Sequence, residues 1–235
     1  MAQILSRRLM IGSLGACVVA GLGSSEAGAA LSLGSGLGGL LGRASDSALD
    51  QLGKPGAFYG DPAVRIGLPM LTGAVGGSGL GGLLGQALDL GGRLGLTDGL
   101  MRRINDAAGV AAGAAKPVFR DAIGKLTLAD VPDILRQRDG ASQYLRKSSG
   151  VMLAGKLRPM VDSALVKVGA GPELDRLGKS AAGAGLVGIT RQAIGKSVTD
   201  QAMNGIFAYI GREEGKLRDD PVGPASSLLK GLLGG

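Results

Sequence analysis

The stretch Ser197 to Pro221 reads SVTDQAMNGIFAYIGREEGKLRDDP, and it decides the fold class because its apolar residues recur at helical spacing. Ser197 and Asp200 have the spacing of an N-terminal cap pair, and Pro221 is a helix stop. The apolar arc consists of Val198, Ala202, Ile206, Tyr209, Ile210 and Leu217. The stretch therefore predicts one amphipathic helix.

Two adjacent glutamates interrupt this arc. At about 100° per residue, Glu213 projects from the middle of the arc and Glu214 from its edge. A carboxylate on a core face needs a partner. We predict a structural ion pair at Glu213, for which the cationic candidates are Arg65, Arg158 and Arg218.

The composition limits the chemistry that the chain can perform. It has 235 residues, of which 45% are hydrophobic and only 3% aromatic, so the core is expected to be aliphatic. Histidine is absent and Cys17 is the only cysteine. These absences exclude His-assisted nucleophiles, the usual zinc sites, disulfides and iron–sulfur ligation. We predict no cofactor and no metal.

Aspartate and glutamate side chains are still available for acid–base chemistry. One alternative function is therefore a hydrolase in which Glu213 and Glu214, together with Asp61, act as acid and base. Adjacent side chains on a helix diverge by about 100° and do not face each other, which weighs against that pair. A non-enzymatic role is the preferred interpretation.

The N-terminal residues 1–29 have the features of an export signal. Residues 6–11 (SRRLMI) resemble a twin-arginine motif, an apolar run follows, and Ala27–Ala29 is a small-residue cleavage site. We therefore expect a periplasmic protein. The minority alternative is a lipoprotein, because residues 14–17 (LGAC) resemble a lipobox that would be acylated at Cys17.

Glycine is the compositional outlier, with 45 residues. The nonapeptide GSGLGGLLG occurs at 34–42 and again at 77–85. We interpret these copies as flexible linkers, and a membrane-surface or partner-docking segment is the alternative. The expected organisation is a Gly/Leu-rich segment at 30–43, a helical domain at 44–221 with a glycine-rich insertion at about 73–95, and a flexible tail at 222–235.

Further helices follow from the same spacing rules. A short helix is expected at 44–52, then a loop at 53–69 that is anchored by apolar residues and places Asp61 and Arg65. Residues 98–115 predict a helix whose buried stripe is Leu100, Ile104, Ala108, Ala111 and Ala115. Pro117 opens the next helix, and Thr127 with Asp130 caps another. No stretch shows sustained alternation, so we predict a single all-α domain of several short packed helices.

A basic stretch occupies residues 136–158. Its functional interpretation is a surface for anionic headgroups or an acidic partner, and the alternative is a solvated helix face that keeps the protein soluble. The chain is basic overall, with a net charge of +7, but export and the lack of interleaved aromatic residues argue against nucleic acid. The candidate surface residues are Arg136, Arg138, Arg146 and Lys147.

Several stretches together resemble the exported bacterial proteins grouped as domain-of-unknown-function family 4197. They are GKPGAFYGDPAVRIGLP (53–69), INDAAGVAAGAAKPVFRDAI (104–123), ADVPDILRQRDGASQYLR (129–146), LRPMV (157–161) and AMNGIFAYIGREEGKLRDDP (202–221). The resemblance implies a secreted or periplasmic helical protein and implies no activity. The glycine-rich insertion departs from the family pattern.

The expected function is a non-enzymatic periplasmic protein that binds an apolar, lipid-like ligand or docks an envelope partner. The alternatives are the hydrolase described above and a purely structural envelope protein. The partners expected are a lipid or other apolar ligand, an envelope protein or the membrane surface. The candidate ligand or ion-pair residues are Asp61, Arg65, Asn105, Arg158, Glu213, Glu214 and Arg218.

Overall fold

The computed structural model of the protein describes residues 23–67, 96–126, 137–183 and 190–219. These ranges contain helices and no strand, which confirms the predicted all-α fold. In chain order the helices are α1 (Gly23–Leu52), α2 (Ala57–Gly60), α3 (Leu96–Ala114), α4 (Lys116–Gly124), α5 (Gly140–Lys167), α6 (Gly171–Gly183) and α7 (Arg191–Asp219).

Helix α1 is much longer than the predicted helix at 44–52, and it includes the first nonapeptide. Leu37, Leu40 and Leu41 of this nonapeptide are buried, whereas a Cβ added at Gly38 or Gly42 would meet nothing. Burial of the leucines offsets the helix cost of about 1 kcal/mol per glycine. The linker interpretation is therefore wrong for residues 34–42. The second copy, 77–85, lies outside the described residues.

All five residues of the predicted stripe are buried; four of them lie in α3, and Ala115 directly follows it. Helix α3 lies close to the end of α1, and both segments carry glycine at the contact. A Cβ on Gly53 would stand 3.2 Å from the Cα of Gly113, and a Cβ on Gly109 would stand 3.1 Å from the carbonyl oxygen of Leu52. Pro117 lies in the first turn of α4, as predicted.

The loop after α1 is more regular than expected, since its residues 57–60 form the one-turn helix α2. The expected apolar anchoring is present, since Phe58, Val64 and Ile66 are buried. Helix α7 approaches this loop at Gly205, where an added Cβ would lie 3.0 Å from the Phe58 ring. The loop is thereby fixed against the last helix.

Helix α7 begins six residues before the predicted cap. Thr190 caps it instead, because its side-chain oxygen accepts a hydrogen bond of 3.1 Å from the N–H of Ala193. Ser197 and Asp200 lie inside the helix, where Asp200 forms an ion pair with Lys196. The predicted helix cap at Thr127 and Asp130 lies outside the described residues.

The core forms where α7 packs against both α1 and α5, and where α3 packs against α5. It is mainly aliphatic, as predicted, with a tilted contact between the rings of Phe119 and Phe207 at 6.0 Å. Helix α5 continues through Pro159, and the chain turns after it at Gly169, whose φ is +73°. Among the helices that the structure describes, none combines the length and hydropathy of a membrane span.

Candidate functional site

Glu214 is the buried carboxylate of α7, with no solvent-exposed surface. It accepts hydrogen bonds from the backbone N–H groups of Ala141 (3.0 Å) and Ser142 (2.8 Å), and from the Ser142 hydroxyl. Arg218 donates from Nε (3.0 Å) and Nη2 (2.6 Å), and its side chain is only 7% exposed. Glu214 therefore caps α5, whose first N–H groups have no partner within the helix, and it forms a buried ion pair with Arg218.

Glu213 contacts a different neighbour and keeps some exposure, with 12% of its side chain accessible. It accepts a hydrogen bond of 2.8 Å from the Ser47 hydroxyl of α1 and pairs with Lys216 at 2.6 Å. Burial acts to raise the pKa of Glu213. The hydrogen bonds from Lys216, Gln51 and Ser47 outweigh burial, so the pKa lies below its ordinary value.

The predicted partners of Glu213 are therefore wrong: Glu213 pairs with Lys216, and the buried pair with Arg218 belongs to its neighbour Glu214. Within the described ranges, the three predicted partners are engaged elsewhere. Arg218 pairs with Glu214, and Arg158 pairs with Asp162 at 2.9 Å and donates to the carbonyl of Gln192. Arg65 belongs to a separate cluster on the surface.

The buried pair forms at Glu214 and not at Glu213 because the buried face of α7 is wider than the predicted apolar arc. Met203 and Phe207 are also buried, and Glu214 follows them at helical spacing on the same side. Gly211 lies between them and lets α5 approach, since an added Cβ would stand 3.2 Å from the Cβ of Asp139. Counting Met203 and Phe207 in the apolar arc would have moved its centre towards Glu214.

Two side-chain amides hold the segment that follows α2, and we call Asn105 and Gln201 the amide clamp. The Asn105 Oδ1 accepts the N–H of Ile66 (2.8 Å), and its Nδ2 donates to the carbonyls of Ile66 (3.0 Å) and Met101 (2.8 Å). Gln201 makes the equivalent pair of hydrogen bonds with Gly67, at 2.9 and 3.0 Å. Asn105, predicted as a candidate ligand residue, thus contacts the backbone of its own chain.

Asp61 lies at the start of this segment and joins it to α7. It accepts hydrogen bonds from the backbone N–H of Ala63 (2.9 Å), the hydroxyl of Tyr209 (2.9 Å) and the guanidinium of Arg212 (3.2 Å). The N–H of Ala63 is the largest cause that lowers the pKa of Asp61, followed by Tyr209. Asp61 is therefore an ionised anchor between the loop and α7.

Arg65 contributes to a surface group that we call the Tyr59 cluster, made of Tyr59, Arg65, Asp98 and Arg102. The guanidinium carbons of Arg65 and Arg102 lie 4.7 and 4.4 Å from the centre of the Tyr59 ring. The Arg65 Nε donates to the Tyr59 carbonyl at 2.6 Å, and the Tyr59 hydroxyl donates to Asp98 at 2.6 Å. The hydrogen bond to Asp98 is the main cause that raises the pKa of Tyr59.

Sequence reasoning missed most of the Tyr59 cluster. It singled out Arg65, and it gave position 98 only as the first residue of a predicted helix. The cluster combines the loop after α1 with the start of α3, and neither segment alone signals it. The candidate residues therefore form separate groups, with Asp61, Arg65 and Asn105 around the loop, and Glu214 with Arg218 at the start of α5.

The predicted basic surface is partly neutralised. Arg136 lies outside the described residues, and Arg138 pairs with Asp219. Arg146 donates to Asn204 and lies 5.6 Å from the centre of the Phe207 ring. Lys147 is exposed on α5. Further along the same stretch, Lys156 and Arg158 pair with aspartates, so the basic residues do not act as one uncompensated patch.

The carboxylates of the hydrolase hypothesis are held by three different sets of partners. Glu214 contacts the start of α5, Glu213 contacts α1, and Asp61 contacts Tyr209 and Arg212. In the part of the chain that the structure describes, no group of three or more His, Cys, Asp or Glu side chains could hold a metal ion. The arrangement provides ion pairs and helix capping.

An apolar groove runs between α3 and α5, and we call it the α3–α5 groove. Its volume is about 290 Å³, and it is open to solvent along one side. Alanine, valine, methionine and proline side chains form most of its wall, and one lysine provides the only charge. The lining residues are Val110, Ala111, Ala114, Pro159, Met160, Ser163, Ala164 and Lys167.

Comparison with known proteins identifies a family and nothing closer. A family model described as "Protein of unknown function (DUF4197)" matches residues 29–234. No curated protein and no solved structure matches the chain.

Proposed function

The chain belongs to the DUF4197 family of proteins of unknown function, and on that premise we propose that it is a non-enzymatic, exported helical protein that binds one apolar chain of a lipid-like ligand. The α3–α5 groove is the binding site in this proposal. The observation that carries it is the apolar lining of an open groove between two otherwise well-packed helices.

The size and the wall of the groove favour a slender ligand. Small-molecule sites begin at about 300 Å³ and are mostly apolar with a few polar groups. The groove, at about 290 Å³, lies at the lower end of that range, so a single unbranched chain suits it better than a ring system. Ser163 and Lys167 are the polar residues of the wall and would face a polar head.

A non-catalytic role is supported by the surroundings of the carboxylates. Glu214 has no exposed surface, and its oxygens accept hydrogen bonds from α5 and Arg218. A general acid or base must come within hydrogen-bond reach of a substrate proton. These contacts favour binding over acid–base catalysis.

The test uses dodecanoate as the probe and Ala114→Phe as the blocking variant. Ala114 is an exposed part of the groove wall, so a phenyl group there fills the groove with little effect on the core. Ala208→Phe, at an exposed position of α7, is the matched control. We expect saturable binding to the wild type, weakened about tenfold by Ala114→Phe and unchanged by Ala208→Phe. Absence of saturable binding to the wild type would overturn the proposal.

Docking of an envelope partner is the second candidate, and it is favoured by exposed apolar side chains on α5. Val151 is 92% exposed, Val166 is 64% exposed and Met152 is 38% exposed. Contiguous exposed apolar patches occur at protein interaction sites, and of these three residues Val151 and Met152 are adjacent in the helix. A wild-type protein that binds no dodecanoate, and from which organic solvent extracts no lipid, would favour this candidate.

A further inference from the structure

Tyr59 differs from the other aromatic residues that arginines contact. In the described residues, Phe207 and Tyr209 each lie beside one guanidinium, whereas Tyr59 lies beside two. The guanidinium carbons of Arg65 and Arg102 can be no farther apart than the sum of their distances to the ring centre. That separation is at most about 9.1 Å, the sum of 4.7 and 4.4 Å, so an anion beside the ring lies in the field of both positive charges.

The negative charge within the Tyr59 cluster is smaller than the positive charge. Asp98 is its only carboxylate, and one of its oxygens accepts the Tyr59 hydroxyl while the other lies 3.7 Å from the Arg102 Nε. Among the described residues, the terminal nitrogens of Arg65 and Arg102 have no hydrogen-bond partner. Counted over the described residues, the cluster thus carries one net positive charge and two sets of terminal N–H donors without a hydrogen-bond partner.

Arg65 is held in place before any ligand arrives. Its Nε donates to the Tyr59 carbonyl at 2.6 Å, and its guanidinium lies against the ring. The next residue, Ile66, is fixed by Asn105 of the amide clamp. A donor that is already ordered loses less conformational entropy on binding.

We propose that the Tyr59 cluster binds a phosphate group through the guanidinium groups of Arg65 and Arg102. A phosphate monoester carries a charge of about −1.5 to −2 and three acceptor oxygens, so it can accept from two guanidinium groups at once. A carboxylate has two oxygens, which a single guanidinium satisfies, and Asp98 already supplies one carboxylate. The phosphate comes either from free phosphate or from a lipid headgroup.

Inorganic phosphate is the probe for the site itself, titrated into the full chain at constant ionic strength and followed by the arginine Nε–H signals in NMR spectra. We expect saturable shifts for Arg65 and Arg102. Arg65→Gln weakens binding at least about tenfold, the size expected for losing charge-assisted hydrogen bonds. Arg65→Lys, which keeps the charge and loses the fork, restores part of the affinity.

Arg146→Gln is the matched control, because Arg146 also lies beside an aromatic ring, has no acidic partner among the described residues and is exposed. It leaves phosphate binding unchanged. Equal weakening by Arg65→Gln and Arg146→Gln would show a general charge effect and overturn the proposal, as would a titration without saturation.

Vesicles separate the two sources of phosphate. Sedimentation with vesicles containing phosphatidic acid, lost in Arg65→Gln and competed by inorganic phosphate, supports a lipid headgroup. Phosphate binding without sedimentation supports free phosphate. Sedimentation that is the same for the wild type and Arg65→Gln, together with no phosphate binding, contradicts the site.

Discussion

Glu213 and Glu214 are neighbours on α7, yet they meet different parts of the molecule. Glu214 faces the start of α5 and is fully buried with Arg218. Glu213 faces α1 through Ser47 and pairs with Lys216, whose side chain is 68% exposed. The two glutamates thus have different roles. The cationic partner of Glu213 is exposed to water, whereas the cationic partner of Glu214 is almost fully buried.

Burial decides how much stability is lost when an ion pair is broken. Removing one partner of a buried pair leaves the other charge without water and without compensation. Removing one partner of an exposed pair lets water replace the contact.

Glu214→Ala is expected to have the largest effect. It leaves the Arg218 charge in a site with 7% exposure and removes the cap of α5, so the free energy of unfolding should fall by about 3–5 kcal/mol. Urea unfolding at pH 7 measures it, and Glu213→Ala is the matched control. Equal losses for the two variants would contradict the assignment of the buried pair to Glu214.

Ser142→Ala should have an intermediate effect. It removes the hydroxyl donor to Glu214 and keeps both backbone donors, so the expected loss is about 1.5 kcal/mol. Ser148→Ala is a control on the same helix, since that hydroxyl donates only to helix carbonyls such as Tyr144 and its loss should cost under about 0.5 kcal/mol. If Ser142→Ala costs no more than the control, the hydroxyl does not support the buried carboxylate.

Glu213→Gln should cost less than about 1 kcal/mol, because its ionic partner is exposed and screened. Its amide oxygen can still accept from Ser47. The difference between this variant and the wild type should shrink in 1 M NaCl, where exposed charges are screened within about 3 Å. A loss that persists in high salt would indicate that Glu213 is held by more than an exposed pair.

The smallest effect concerns pH. The folded pKa of Glu213 lies below its unfolded value of about 4.3, so its ionised form contributes stability above that pH. The contribution is lost as the pH falls through the lower folded pKa. The stability difference between the wild type and Glu213→Gln should therefore decline below about pH 4.3, as measured by urea unfolding at successive pH values. A difference that grows on acidification would contradict the direction of the shift.

Helical periodicity predicted much of the fold. It identified α3 with its buried stripe and the helix that Pro117 opens. It failed at α1, because the glycines between the leucines lower the helix propensity of that run. Leu37 and Leu41 pack against other parts of the chain, and only this tertiary contact stabilises the helix there.

The candidate sites were less predictable than the helices. Local spacing indicated that a glutamate of α7 needs a partner, but the choice between Glu213 and Glu214 depends on where α5 lies. The Tyr59 cluster depends on the meeting of residues 59–65 with residues 98–102. Contacts between distant segments have no periodic signal in either segment.

The capping of α5 by Glu214 has a consequence for amide hydrogen exchange. The first N–H groups of a helix usually exchange quickly, because they have no partner inside the helix. Those of Ala141 and Ser142 donate instead to a carboxylate more than 70 positions away in the chain, on a different helix. They should therefore exchange only when α7 leaves α5, so the beginning of α5 reports the detachment of the last helix.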